Sequence, residues 1–138
     1  MISLRTHSIL DYGVAALLVV SPWIFGFATV DAARSVFVTA GLSLLTYSLI
    51  TDYRYSVAKI VPVGVHMFMD VVLGILVMIA PAVFSYRDLI TGGQYGLHFV
   101  MELGAIGLVA FTRLDHHGSR KAEARGLTPS QGEVSGPS

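Results

Sequence analysis

Two His-x-x-x-Asp pairs are the residues of this chain whose types and spacing could do chemistry. His7 and Asp11 form the first pair, and His66 and Asp70 form the second. Because residues four apart lie on the same face of a helix, each histidine can reach the carboxylate of its own pair. An imidazole beside a carboxylate can hydrogen-bond, exchange protons or bind a divalent metal ion. The pattern therefore predicts a polar site wherever the fold brings the two pairs together.

Three interpretations of these four residues stay open. In the first, which we favour, each histidine bonds the aspartate of the other pair or of its own pair, and the pairs act as interhelical polar clasps. In the second, two imidazoles and two carboxylates bind a divalent metal such as zinc, manganese or iron. In the third, the pairs are an entry point for protons or cations.

A second candidate is Glu102, with His98 four residues before it, in the last apolar segment. An ionised acid in mid-membrane costs about 2.5 to 3.5 kcal/mol on insertion scales, so Glu102 must be neutral, paired or facing a wet cavity. We expect its partner to be His98 or a polar residue of the second helix, namely Thr39, Ser43 or Tyr47. The His98–Glu102 pair is thus either an intramembrane protonatable site or an interhelical clasp.

The elements that position these residues are four apolar segments. Only 13% of the residues are charged, against about 25% in soluble domains, and the charged residues are missing in blocks. A membrane-spanning helix needs about 20 mostly apolar residues, and continuously apolar segments do not fit transmembrane strands. We therefore predict an all-α, integral membrane four-helix bundle with spans at residues 9–27, 35–50, 63–84 and 94–112.

The first and third segments repeat each other at a shift of 59 positions. His7, Asp11, Pro22 and Phe25 align without a gap with His66, Asp70, Pro81 and Phe84. The second and fourth segments match less well, at a shift of 63. Such self-similarity predicts two tandem two-helix hairpins in the same orientation, related by a pseudo-two-fold axis along the membrane normal.

This duplication predicts one folded domain and a tail. The four-helix transmembrane domain covers residues 1–115, with repeat one at about 3–53 and repeat two at about 62–115. Residues 116–138 are rich in Gly, Ser, Pro and charged residues, so we expect a disordered cytoplasmic tail.

Lysine and arginine orient the bundle. Seven lie on the side that holds both termini and two lie on the other side, so the positive-inside rule places both termini in the cytoplasm.

Ser21-Pro22-Trp23 lies near the end of the first apolar segment. Proline there kinks or ends a helix, the serine hydroxyl can bond a backbone carbonyl, and the indole suits the headgroup region. Pro81 occupies the corresponding place in the second copy. We therefore expect a helix-kink and interface motif at this end of the bundle.

With His7 and Asp11 upstream, the Ser-Pro-Trp motif resembles the SPW repeat family of small bacterial integral membrane proteins. The resemblance covers about residues 5–114, and the second copy departs from it with Ala80 and Ala82 beside its proline. It implies a four-helix, multi-pass protein of the bacterial inner membrane, and it implies no activity.

The remaining sequence features exclude several functions. The chain has no cysteine, which excludes disulfides and thiolate metal sites, and its formal net charge of zero gives no support for nucleic-acid binding. We expect a non-enzymatic inner-membrane protein of structural, accessory or oligomer-forming type, whose partners are the lipid bilayer and a second copy or another membrane protein. No cofactor is expected. The alternatives are a proton- or ion-coupled transporter using Asp11, Asp70 and Glu102, and a metal-dependent membrane protein with the His/Asp site.

Overall fold

The computed structural model describes residues 2–52 and 56–123, and within them four helices account for most of the chain. Each helix is long and apolar enough to cross a membrane, and the strand content of the described residues is an isolated bridge between Thr51 and Val61. The all-α prediction is therefore confirmed. The helices are α1 (Leu4–Ile24), α2 (Asp31–Ile50), α3 (Val63–Val83) and α4 (Gly92–Glu123), with a short 3-10 turn at Arg87–Leu89.

The helix bounds give the register between the two hairpins. The starts and ends of α1 and α3 both differ by 59 positions, as the sequence predicts. The starts of α2 and α4, at Asp31 and Gly92, differ by 61 positions and not by the expected 63. The connection inside the second hairpin is therefore two residues longer, and it holds the 3-10 turn.

The last helix extends further than expected. Helix α4 continues to Glu123, into the segment for which the composition predicts a disordered tail. Residues 119–123 are mostly Arg, Lys, Ala and Glu, which are strong helix formers and allow the helix to continue beyond its apolar part. Residues 124–138 lie outside the described residues.

Helix α1 ends two residues after Pro22, whose carbonyl oxygen accepts a capping hydrogen bond. The Phe27 amide donates to the Pro22 carbonyl oxygen at 2.9 Å, and Gly26 between them has φ +74°. A bond from the second residue beyond the C-cap to a carbonyl in the last turn, with a left-handed residue between, is the Schellman ending. Phe27 is thereby folded back and buried.

Helix α3 ends in the same way. The Tyr86 amide donates to the Pro81 carbonyl oxygen at 3.1 Å, and Tyr86 is buried like Phe27. The left-handed position is taken by Ser85, with φ +53°, where the first copy has glycine. The two prolines therefore perform the same backbone role at the same end of the bundle.

Packing within the bundle is uneven. Helices α1 and α2 approach closely at Gly41, where an added Cβ would lie 2.7 Å from the Ala15 carbonyl oxygen. Helices α1 and α4 share the fewest contacts of the neighbouring pairs. Large apolar side chains such as Phe68 and Leu103 face outward, as expected for helices surrounded by lipid tails.

Candidate functional site

The two His-x-x-x-Asp pairs meet between α1 and α3, and all four side chains are buried. Nε2 of His66 lies 3.1 Å from Oδ2 of Asp11 and 3.2 Å from Oδ2 of Asp70. Nε2 of His7 lies 3.6 Å from each of the same two oxygens. The four atoms lie within 4.8 Å of one another. We refer to these four residues as the His/Asp cluster.

Thr51, the residue after α2, orients His66. Its hydroxyl donates to the Tyr47 carbonyl oxygen at 2.6 Å and lies 2.8 Å from Nδ1 of His66. A hydroxyl has a single hydrogen, and the carbonyl oxygen can only accept it, so Nδ1 must donate to Thr51. This bond fixes the ring with its Nε2 edge turned towards the two carboxylates.

Thr112 of α4 does the same for His7. Its hydroxyl donates to the Leu108 carbonyl oxygen at 2.8 Å and accepts from Nδ1 of His7 at 3.0 Å. Each histidine is therefore held by a threonine from the other repeat. The sequence reasoning missed both threonines, although Thr51 and Thr112 are 61 positions apart, like the starts of their helices.

Tyr47 of α2, which the sequence analysis proposed as a partner of Glu102, contacts the His/Asp cluster instead. Its hydroxyl donates to Oδ1 of Asp70 at 2.7 Å and leaves Oδ2 of that carboxylate directed into the cluster. The expectation that Tyr47 pairs with Glu102 is therefore wrong, since it orients a carboxylate of the cluster.

Four of the six separations among the possible ligand atoms of the cluster are close to those of a four-ligand metal site. These N···O separations of 3.1 to 3.6 Å are close to the edge of about 3.3 Å between ligands that surround a zinc ion tetrahedrally at about 2.0 Å. Without an ion, a pairing of these groups as imidazolium and carboxylate requires a second hydrogen on each Nε2, because Nδ1 already carries one. The arrangement can therefore hold either protons or a divalent cation.

Glu102 is buried to 98%, and neither carboxylate oxygen has a hydrogen-bond partner among the described residues. The carboxylate lies against α3 at Gly74, where an added Cβ would overlap it. Thr39 and Ser43 are elsewhere, lining a groove between α2 and α3. In the part of the chain that the structure describes, the interhelical partners expected for Glu102 are therefore not in place.

His98 is buried but does not bond Glu102. Its Nδ1 donates to the Gln94 carbonyl oxygen at 2.9 Å, so the neutral ring presents Nε2 as an acceptor, 3.0 Å from the Tyr86 hydroxyl. Burial raises the pKa of Tyr86 to about 12, so that hydroxyl keeps its hydrogen and donates it to His98. The structure thus separates the two residues that the sequence joins as a protonatable pair.

A cavity of about 250 Å³ connects Glu102 with the His/Asp cluster. All four helices contribute to its walls, which are mainly apolar, and its acidic groups among the described residues are Asp11, Asp70 and Glu102. A proton- or ion-coupled transporter that uses these three carboxyl groups would need a cavity that joins them, and this cavity is lined by all three.

The Ser-Pro-Trp motif lies at the other end of α1, away from the cluster. Pro22 and Pro81 are buried, whereas Trp23 is 60% exposed on the outside of the bundle. The Ser21 hydroxyl donates to the Leu17 carbonyl oxygen at 2.6 Å, and not to the carbonyl of residue 18, which loses its amide partner to the proline. The motif shapes the helix end and is not part of the polar site.

Comparison with known proteins identifies one family. The model of the SPW repeat domain matches residues 5–112, which contain all four helices' apolar parts and every residue of the cluster. No curated protein and no solved structure matches the chain.

Proposed function

The chain belongs to the SPW repeat domain family, and on that premise we propose that it is a structural membrane protein whose two repeats jointly bind one divalent metal ion of the zinc type. The ligands are Nε2 of His7 and His66 and Oδ2 of Asp11 and Asp70. The supporting observation is that both imidazoles donate Nδ1–H to a threonine and turn Nε2 towards the same two carboxylate oxygens.

The distances of His7 support an ion. Nε2 of His66 is within hydrogen-bond distance of both carboxylates, at 3.1 and 3.2 Å, whereas Nε2 of His7, at 3.6 Å from both, is beyond it. A separation of 3.6 Å is closer to the edge of a coordination tetrahedron than to a hydrogen bond. The two carboxylates neutralise a divalent ion, so the metal-bound cluster has no net charge in a medium that penalises charge.

The surroundings of the ligands also favour a metal. Histidines that bind metals donate their second ring N–H to a fixed acceptor, and ligating carboxylates are themselves hydrogen-bonded. Thr51 and Thr112 supply the first kind of contact, and Tyr47 supplies the second. With four protein ligands the site is closed, which is typical of a structural ion and not of a catalytic one.

The proposal also assigns the cluster to one side of the membrane. With both termini on the cytoplasmic side of a bacterial inner membrane, the cluster lies in the cytoplasmic half of the bilayer. The ion then joins α1 to α3 at that end, while the proline-capped ends form the opposite one. A second copy or another membrane protein packed against the outward apolar faces fits the same role.

Elemental analysis of purified protein tests the proposal. The protein carries no polyhistidine tag and has His116→Ala/His117→Ala as background, so the adjacent histidines do not contribute metal. After loading with zinc and dialysis, we expect about one zinc per chain, lost in His7→Ala and in His66→Ala alike. His98→Ala, which removes a buried histidine outside the cluster, should keep the ion. Absence of stoichiometric zinc from the folded background protein, or its retention in both cluster variants, contradicts the proposal.

A further inference from the structure

Glu102 is a buried acid that lies outside the His/Asp cluster. It lies at the middle of the apolar part of α4, which spans Gly92–Thr112. Its carboxylate is buried and has no hydrogen-bond partner among the described residues. A buried carboxylate without a partner costs more free energy than almost any other side chain. As an ionised group, Glu102 therefore needs a partner from outside the described residues.

Gly74 makes room for this carboxylate. Any Cβ at that position of α3 would overlap the Glu102 oxygens, so the carboxylate is accommodated at the wall of the cavity because α3 has a glycine there. The cavity extends from this point towards Asp70, which is one helical turn away, or about 6 Å along α3.

The cavity lies beside α1 and α4, which are the neighbouring helices with the fewest contacts. Leu10 and Leu17 of α1 and Val100 and Gly104 of α4 line it and are also exposed on the outside of the bundle. Since a cavity of about 150 Å³ holds a benzene molecule, the present one has room for a molecule of about ten non-hydrogen atoms.

Charge identifies the occupant. Asp11 and Asp70 each face both histidines of the cluster. Glu102 is not balanced, because the described residues lining the cavity include no Lys, Arg or His. We infer that the cavity binds a small lipophilic amine as a monocation, which enters from the lipid and pairs its ammonium group with Glu102. The ammonium supplies hydrogen-bond donors and the compensating charge, and the hydrocarbon part fills the apolar space. This inference does not depend on a metal in the cluster.

The test compares two probes of nearly the same shape, 2-phenylethylamine and 2-phenylethanol. Each is equilibrated with protein in lipid nanodiscs, and its partition into empty nanodiscs is subtracted. We expect the amine to bind the wild type with an affinity about tenfold or more above that of the alcohol, since a desolvated ion pair is formed only by the amine. Equal binding of the two probes contradicts the inference.

Two variants and a control locate the binding. Glu102→Gln keeps the side-chain shape and should reduce amine affinity about tenfold while leaving the alcohol unchanged. Ala105→Leu keeps Glu102 but fills the cavity, and should weaken both probes. Asp88→Asn, which neutralises an exposed acid outside the cavity, should change neither. Each variant is first shown to be folded by its thermal unfolding. Amine binding that persists in folded Glu102→Gln and Ala105→Leu overturns the inference.

Discussion

The two hairpins differ at one pair of equivalent positions. Where α1 and α2 meet, Ala15 of α1 lies against Gly41 of α2. Shifts of 59 and 61 positions carry these residues to Gly74 of α3 and Glu102 of α4, which also lie against each other. In both hairpins a glycine allows the close approach, but in the first it admits a backbone and in the second it admits a carboxylate.

This difference separates a packing contact from a site. The duplicated polar residues, His7 with His66 and Asp11 with Asp70, come together in the cluster. Glu102 has a glycine as its counterpart, so duplication provides nothing to balance it. The duplication thus explains why the residues of the cluster meet, and Glu102 is a polar residue that the duplication does not match.

Placing a glutamate in the first hairpin, at the position equivalent to Glu102, should have the largest effect on stability. Gly41→Glu places a Cβ 2.7 Å from the Ala15 carbonyl oxygen, so α1 and α2 must separate, and we expect a loss of about 3 kcal/mol of stability. The double variant Ala15→Gly/Gly41→Glu reproduces the residue pair of the second hairpin. It gives the glutamate side chain room at position 15 but keeps the contact with the carbonyl oxygen, so it should recover only part of that loss. Thermal unfolding in detergent measures both. If the double variant loses as much stability as the two single variants together, the Ala15/Gly41 pair is not equivalent to the Gly74/Glu102 pair.

Gly74→Ala tests the second hairpin in the same way. The new methyl overlaps the Glu102 carboxylate, so that side chain must move, and we expect a loss of about 1 to 3 kcal/mol. Gly13→Ala is the matched control, because its Cβ meets nothing within 4 Å, and it should be neutral or stabilising by up to about 1 kcal/mol. Glu102→Ala combined with Gly74→Ala should remove the penalty. Equal effects of the two glycine substitutions would show that the carboxylate does not need the space.

The threonines test the symmetry of the cluster. Thr51→Val and Thr112→Val each remove the acceptor of one histidine, and we expect each to lower zinc affinity about 10- to 100-fold, as other losses of such supporting contacts do. Competition with a chromophoric chelator measures the affinity. Thr46→Val, which removes an exposed hydroxyl bonded to the Leu42 carbonyl oxygen, should leave the zinc affinity unchanged. A large effect at one threonine and none at the other contradicts the symmetric assignment.

The smallest effect is expected at the helix ends. Ser85 occupies a left-handed conformation with φ +53°, where the first hairpin has Gly26. Ser85→Gly should raise stability by about 0.5 to 1 kcal/mol, since glycine adopts this conformation without steric strain. Gly26→Ala should lower stability by a similar amount. The two variants should shift the unfolding temperature in opposite directions. Shifts in the same direction would show that the two helix ends do not have equivalent capping motifs.

Much of the fold could be predicted because it depends on local pattern. The apolar segments locate four helices, and the repeat of His7 and Asp11 at His66 and Asp70 gives the register of α1 with α3. The register of α2 with α4 could not be predicted, because their polar residues differ and the loop lengths are set by packing. The partners of Glu102 were wrong for a related reason: residues on one stripe of a helix share a face, but spacing does not say which neighbour that face meets.

The sequence by itself determined the membrane class, the number of helices, the duplication and the identities of the four cluster residues. These follow from hydropathy and periodicity, which need no knowledge of distant contacts. Only the tertiary structure decided that the pairs converge on one point, that Thr51 and Thr112 orient their imidazoles across the repeats, and that Glu102 lies over Gly74 beside a cavity. The reason is physical: side-chain direction is local, but the distance between two faces is decided by how closely all four helices can pack.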